Sequence, residues 1–174
     1  MEGFLNPQEI LNQLELKDDM AAADFGSGSG GWAIPLAKIL EEGKVYAIDV
    51  LEEPLSALKG KTDLANLSNI ETIRADLEKD KGSGLENDSL DLVLMTNLLF
   101  ELEEKEKVFK EAKRVLKKEG KILVVDWKID SSLGPQKGKI SVGGVKKIAK
   151  DLGLKFEKEI PAGAYHYSLI FTKP

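Results

Sequence analysis

Between Asp24 and Gly31 the chain reads Asp-Phe-Gly-Ser-Gly-Ser-Gly-Gly, a carboxylate followed by glycines at alternate positions. Glycine has no Cβ and tolerates left-handed backbone, so Gly26, Gly28 and Gly30 let a bound molecule approach the main chain, and Ser27 adds a hydroxyl. An apolar run precedes the turn and a helical pattern follows it, a setting in which backbone amides collect polar ligands. Two ligand classes satisfy the spacing. Gly26, Gly28 and Gly31, with Asp49 about twenty residues further on, match the fingerprint of a nicotinamide dinucleotide site. Asp24 argues the other way. A carboxylate at the strand end repels a pyrophosphate and attracts a cationic ligand, the more so where water is excluded.

Other residues able to do chemistry are few. The chain has no cysteine and a single histidine, His166, which removes thiolate nucleophiles and any histidine cluster, so no metal site is expected. His166 is the natural candidate base, its ordinary pKa lying nearest neutrality, although a histidine between two tyrosines on a strand also suits packing. Lys128 suits the steering of an anionic acceptor, or simple solvation. The net charge of −5 and pI of about 5.1 disfavour a nucleic-acid partner. The amino-terminal residues lack the pattern of a secretion signal, and no stretch has the length and apolarity of a membrane span, so a cytoplasmic location is expected.

These residues need a scaffold, and the pattern supplies one. Asn6, Pro7 and Glu9 carry helix-start signals for a short helix ending near Leu16. Strands are predicted over Met20 to Phe25, Val45 to Asp49, Ile70 to Ala75, Leu90 to Thr96 and Lys121 to Trp127. Helices follow the first two, one reaching about Glu42 and one starting at Pro54. An amphipathic helix spans Glu103 to Lys118, closed by Gly120. A Gly- and Ser-containing loop over 129–139 leads to a helix ending at Leu152, then to strands Leu154 to Ile160 and Tyr165 to Thr172. Only Pro161 to Ala164 separate these last two, too few for a crossover helix, so they pair antiparallel. The alternation predicts an α/β fold, a Rossmann-like three-layer sandwich whose seven-stranded sheet is mostly parallel with an antiparallel C-terminal pair. The expected organisation is one domain over 1–174: an N-terminal helix in 1–18, a cofactor-binding core over 20–128, and a lid loop, helix and strand pair over 129–174.

The residues DFGSGSGGWAIPLAKIL, KVYAIDV, LDLVLMTNLLFEL, KRVLKKEGKILVVDWK and YHYSLIF together resemble the class I S-adenosylmethionine-dependent methyltransferases, in particular the group related to the ubiquinone and menaquinone C-methyltransferases. The resemblance implies S-adenosylmethionine as cofactor and a small-molecule or lipid-like acceptor. It implies backbone amides of Gly26 to Gly28 facing the methionine moiety and Asp49 holding the ribose hydroxyls. Val50 and Leu51 would flank the adenine, whose amino group Asp76 and the backbone near Leu77 would receive, and Asn97 would lie by the methionine amino group. Asp76 also suits a turn cap and Asn97 a helix N-cap; Trp32 suits either cofactor cover or packing. The sheet's carboxyl ends place Asp126, Trp127 and Lys128 around the acceptor. Little chain precedes Asp24, so the pocket is expected to be open, closed by the 129–139 loop or by a second subunit in a homodimer. The alternatives are a cofactor-binding regulatory module without turnover and a nicotinamide oxidoreductase.

Overall fold

The computed structural model describes residues 5–174, so residues 1–4 of the expected N-terminal segment lie outside the described residues. Asn6 caps helix α1 (Pro7–Leu11), its side chain accepting from the amides of Gln8 and Glu9. That helix ends at Leu11, earlier than the expected Leu16, with Ile10 and Leu11 buried.

The strands are β1 (Ala21–Phe25), β2 (Lys44–Asp49), β3 (Ile70–Arg74), β4 (Leu90–Thr96), β5 (Leu116–Trp127), β6 (Lys155–Glu159) and β7 (His166–Thr172). They form one seven-stranded sheet in the order β3-β2-β1-β4-β5-β7-β6. β1 to β5 pair parallel, and β7 pairs antiparallel with both β5 and β6, as the short link between the last two strands required. The order reverses at β1, which lies between β2 and β4, the switch point at which ligands collect in open α/β sheets.

Alternation along the strands builds two apolar layers. On one face Phe25, Val93, Met95 and Val124 pack against Val108 and Phe109 of α4 (Lys105–Val115) and Val145 of α5 (Val142–Asp151). On the other, Ala22, Ala47, Leu94 and Val125 pack with Leu11, with Leu36 of α2 (Ala33–Ile39) and with Leu58 of α3 (Glu52–Leu64). The result is the expected three-layer sandwich.

Other helix boundaries differ as well: α2 ends at Ile39 and α3 begins at Glu52. The amphipathic pattern extends the fourth helix to Lys118, but α4 ends at Val115 and Leu116 already pairs with Leu90. Gly120 therefore lies inside β5 and closes no helix. Glu119 adopts a left-handed φ of 63° and the register shifts between Leu90 and Leu92, so the lysines there extend the strand through an irregularity. At the opposite edge all five residues of β6 are exposed.

Candidate functional site

The turn after β1 is left-handed at Gly26 (φ 75°), Gly28 (φ 51°) and Gly30 (φ 90°). A Cβ at Gly30 would stand 2.3 Å from Leu58 Cδ1, whereas one at Gly28 would meet nothing within 4 Å. Gly30 is thus needed for packing against α3, and Gly28 keeps open the space in front of the turn. The amides of Gly26 and Ser27 both donate to Ile48 O (2.8 and 2.9 Å), and that of Gly28 donates to Asp49 Oδ2 (2.9 Å). The expectation that these three amides face a ligand is corrected: they tie the turn to β2, and what the turn presents is close approach and the Ser27 hydroxyl. Ser27 Oγ is buried with no hydrogen-bond partner.

Asp24 is fully buried on the α2 side of β1, and neither carboxyl oxygen completes a hydrogen bond. Burial pushes its carboxyl up to about 8, the Ala33 amide offers partial relief, and Asp49 adds repulsion. Asp24 does not line the cleft. It lies beneath the turn, mostly protonated at neutrality, and a cation entering above it favours the ionised form.

The cleft, about 580 Å³, opens at the carboxyl ends of β1 to β4. Asp49 lines it, its Oδ1 accepting from Leu51 N at 3.0 Å, and each of its oxygens keeps a second lone pair for a ligand hydroxyl. Val50 and Leu51 are large apolar side chains left more than half exposed at the cleft, a surface suited to a flat ring. Asp76 lines it too, but its Oδ1 accepts from Glu78 N at 3.1 Å and its other oxygen faces Lys79 at 3.6 Å, the geometry of a turn cap. Leu77 beside it is buried. Asn97 is left-handed (φ 51°), its amide donates to Val125 O, and its buried Oδ1 has no partner. It makes no helix-capping bond; the short 3₁₀ turn Leu99–Glu101 is entered through Leu98 without a side-chain cap. Trp32 lines the cleft and is also buried in the apolar layer, so it both packs and forms wall.

Sequence reasoning missed Glu101. It stands on that 3₁₀ turn and lines the cleft, its carboxyl raised by partial burial and by Asp49. The turn is held from below by Asp126, fully buried, whose Oδ2 accepts from Leu99 N at 2.8 Å and whose Oδ1 accepts from Trp127 N at 2.7 Å. Asp126, expected around an acceptor, is instead an internal anchor. Burial pushes its carboxyl up to about 6, and the amides of Trp127, Leu99 and Leu98 pull it back.

The two candidate catalytic residues lie apart from the cleft. Lys128 Nζ donates to the carbonyls of Gly163 (3.4 Å) and Ala164 (3.0 Å) in the link between β6 and β7, which leaves little of its charge for an acceptor. His166 is buried against Trp127, ring centroids 4.0 Å apart, with both nitrogens unpartnered. Burial, with the Lys128 charge adding to it, lowers its pKa to about 4, a weak base at neutrality. Loop 129–139 covers this region: Gly134 sits on the Trp127 indole and Gly138 against Phe100 O, so closely that a Cβ at either would clash.

The model of the methyltransferase domain family matches residues 16–155. A demethylmenaquinone methyltransferase of Bacillus mycoides (strain KBAB4) is 27% identical over 132 residues, 75% of this chain and 54% of that protein, so the chain spans about half the length of that relative. A S-adenosylmethionine-dependent methyltransferase of Aquifex aeolicus is 29% identical and superposes with a TM-score of 0.89 over 98% of this chain and 91% of that one. The [4+2]-cyclase SpnF, 13% identical, reaches a TM-score of 0.84 over 99% of this chain and 86% of its own, a likeness of fold alone. The chain belongs to the methyltransferase domain family, within the class I S-adenosylmethionine-dependent methyltransferases. Of the two ligand classes that the glycine spacing allowed, this selects S-adenosylmethionine. The residues present fit it: open space at Gly28, unpartnered Ser27 Oγ and Asn97 Oδ1, exposed Val50 and Leu51, and carboxylates facing a cationic ligand. No helix of the described residues is long and apolar enough to cross a membrane.

Proposed function

We propose that this domain transfers the methyl group of S-adenosylmethionine to a small-molecule or lipid-like acceptor. The observation that carries the reading is the conjunction of an open left-handed glycine turn with Asp49, which binds that turn through Gly28 and faces the same cleft.

The bound cofactor supplies an activated methyl on sulfur, so the chain's own task is alignment and exclusion of water. Asp49 would receive the ribose hydroxyls, Val50 and Leu51 the adenine faces, and Asp76 with Leu77 the adenine edge. Ser27 and Asn97 are placed for the methionine end, beside the open face of Gly28. Buried Asp24 responds to the cofactor's charge from beneath. None of these residues has to form a bond to the methyl group, which agrees with a cleft holding no histidine, lysine or cysteine.

The named activity of the Bacillus mycoides relative supports a lipid-like acceptor, and apolar walls at Leu98 and Leu102, away from the adenine faces, admit one. A homodimer or the 129–139 loop would close the open side. The test is calorimetric titration of the purified protein with S-adenosylmethionine, S-adenosylhomocysteine and NAD, followed by radiolabelled methyl transfer to lipid and polar extracts. Binding of the first two without NAD, and label in either extract, is the expected result. Binding of NAD alone overturns it, and cofactor binding without labelling of any extract favours the regulatory alternative.

A further inference from the structure

Charge is distributed unevenly around the cleft. Its lining holds four carboxylates, Asp49, Asp76, Glu78 and Glu101, and no lysine, arginine or histidine. Three of the four are engaged within the protein. Asp49 accepts from the Gly28 and Leu51 amides, Asp76 from that of Glu78, and Glu78 from that of Glu104. Glu101 has neither a side-chain hydrogen bond nor an ion pair among the described residues.

Cations near this end of the sheet are held on oxygens of the protein. Lys61 bonds Ser29 O and Oγ, Lys105 bonds Leu102 O at 2.7 Å, Lys128 bonds Ala164 O, and Lys139 bonds Ser131 O at 2.9 Å. Only Asp76 among the four has a cation beside it, Lys79 at 3.6 Å, so an anionic acceptor would enter against net negative charge. A second observation is independent of charge. Ser27, only 6% exposed, and Asn97 both line the cleft with a buried side-chain oxygen that lacks a partner. A carboxylate without a cation is satisfied by a nitrogen carrying hydrogens and positive charge, and oxygens without donors accept from a nitrogen as well, so each end of the cleft calls for one.

That nitrogen has two sources, the methyl donor's amino group and the acceptor. Position decides between them. Asp49 and Asp76 follow β2 and β3 on one side of β1, where the donor's nucleoside belongs; Glu101 follows β4 on the other side, on the turn that Asp126 pins. We propose that Glu101 is the specificity-determining residue for the acceptor and receives an ammonium group on it as a recognition group, the methyl going to another atom that carries a lone pair, so that the acceptor class is a molecule bearing an amine, free or in a lipid headgroup. This rests on the methyltransferase reading above.

The test uses the full chain saturated with S-adenosylhomocysteine, with saturation established by calorimetry. Benzylamine, benzyl alcohol and benzoate, matched in shape and differing in charge, are then titrated while backbone amide resonances of Asn97 and Glu101 are followed. Benzylamine is expected to bind about tenfold more tightly than either partner probe, and Glu101→Gln to remove that preference. Because the Glu101 side chain bonds nothing among the described residues and its amide bond to Leu98 O does not depend on the side chain, the variant is expected to keep the unfolding temperature and the S-adenosylhomocysteine affinity of the parent. Equal binding of the three probes, or a preference that survives in Glu101→Gln, overturns the proposal. So does a tenfold loss of S-adenosylhomocysteine affinity in the variant, which would assign Glu101 to the donor. Failure of the parent protein to bind S-adenosylhomocysteine at all would instead sink the methyltransferase reading.

Discussion

Asp49 Oδ2 accepts a 2.9 Å hydrogen bond from the amide of Gly28, so the acid at the end of β2 and the glycine turn after β1 form one mechanical unit. Its other oxygen holds Leu51 N at 3.0 Å, which fixes the start of the wall that Val50 and Leu51 make. Removing this side chain takes away the proposed ligand contact and the support of two cleft walls together. Asp49→Ala is expected to lower S-adenosylmethionine affinity by at least about a hundredfold, and Asp49→Asn, which keeps one acceptor oxygen, by roughly tenfold. Calorimetry on both variants measures this; equal losses would mean that the one acceptor oxygen kept by Asp49→Asn contributes nothing.

Gly28 and Gly30 should separate binding from stability. Alanine at Gly30 must adopt φ near 90° and displace Leu58 or Ile34, a cost of about 2 to 3 kcal/mol in denaturant unfolding. Alanine at Gly28 meets open space and loses only about 1 kcal/mol to its left-handed backbone, yet its methyl occupies the cleft. Gly28→Ala is therefore expected to remain folded and lose the cofactor. Retained affinity in that variant would show that the ligand does not approach the turn.

Asp24 should give stability an inverse dependence on pH. Its folded pKa, raised to about 8 from a reference of 3.8, means that the folded state holds a proton the unfolded state has released. The stabilisation is complete below the unfolded value and is lost as pH rises through the folded one. Relative to Asp24→Asn, the parent should weaken progressively from pH 4 to pH 8 in urea unfolding. Cofactor binding near pH 7 should also release protons, seen as a buffer-dependent enthalpy that vanishes in the variant.

His166 carries the opposite sign. Its folded pKa is lowered to about 4 from 6.5, so the unfolded state binds the proton first; stability is present above the unfolded value and lost as pH falls towards the folded one. His166→Phe keeps a flat ring against Trp127 and should flatten the slope between pH 6.5 and pH 4. An unchanged slope would place the acid sensitivity elsewhere.

Gly138 seats the 129–139 loop. A Cβ there would stand 2.0 Å from the carbonyl of Phe100, a backbone atom that cannot swing aside, and φ is 81°. Gly138→Ala should lift the loop and loosen the turn that carries Glu101, accelerating amide exchange at Leu99 to Glu101 while β5 stays protected. Unchanged exchange at that turn would separate the loop from the cleft.

The fold was readable from the sequence because each strand is a dense apolar run and the glycines and prolines fall between elements. The short stretch from Pro161 to Ala164 even determined the direction of the last pair. The end of α4 was not, because Lys117, Lys118 and Glu119 continue a helical charge pattern while Leu116 is captured by Leu90 across the sheet, a contact that no local signal announces. The cleft residues beside the glycine turn were legible as a motif after a strand, and Asp49, Val50 and Leu51 stand in the cleft. The side of the cleft beyond β4 was not. Glu101 becomes a cleft residue only because Asp126, distant in sequence, bonds the amide of Leu99; the same distance hid that Lys128 would be tied to Ala164 and His166 buried under Trp127. Chemical type nominated His166 and Lys128, and tertiary contact spent them on structure.

The sheet's last strand decides how these molecules meet one another. β6 presents Lys155, Glu157, Lys158 and Glu159 to water along a free edge, with Phe156 partly shielded beneath the Lys146 ammonium. A foreign strand that annealed there would have to strip water from charges of both signs, and it would gain little apolar contact in return. That edge of the sheet is thus guarded against the addition of a further strand.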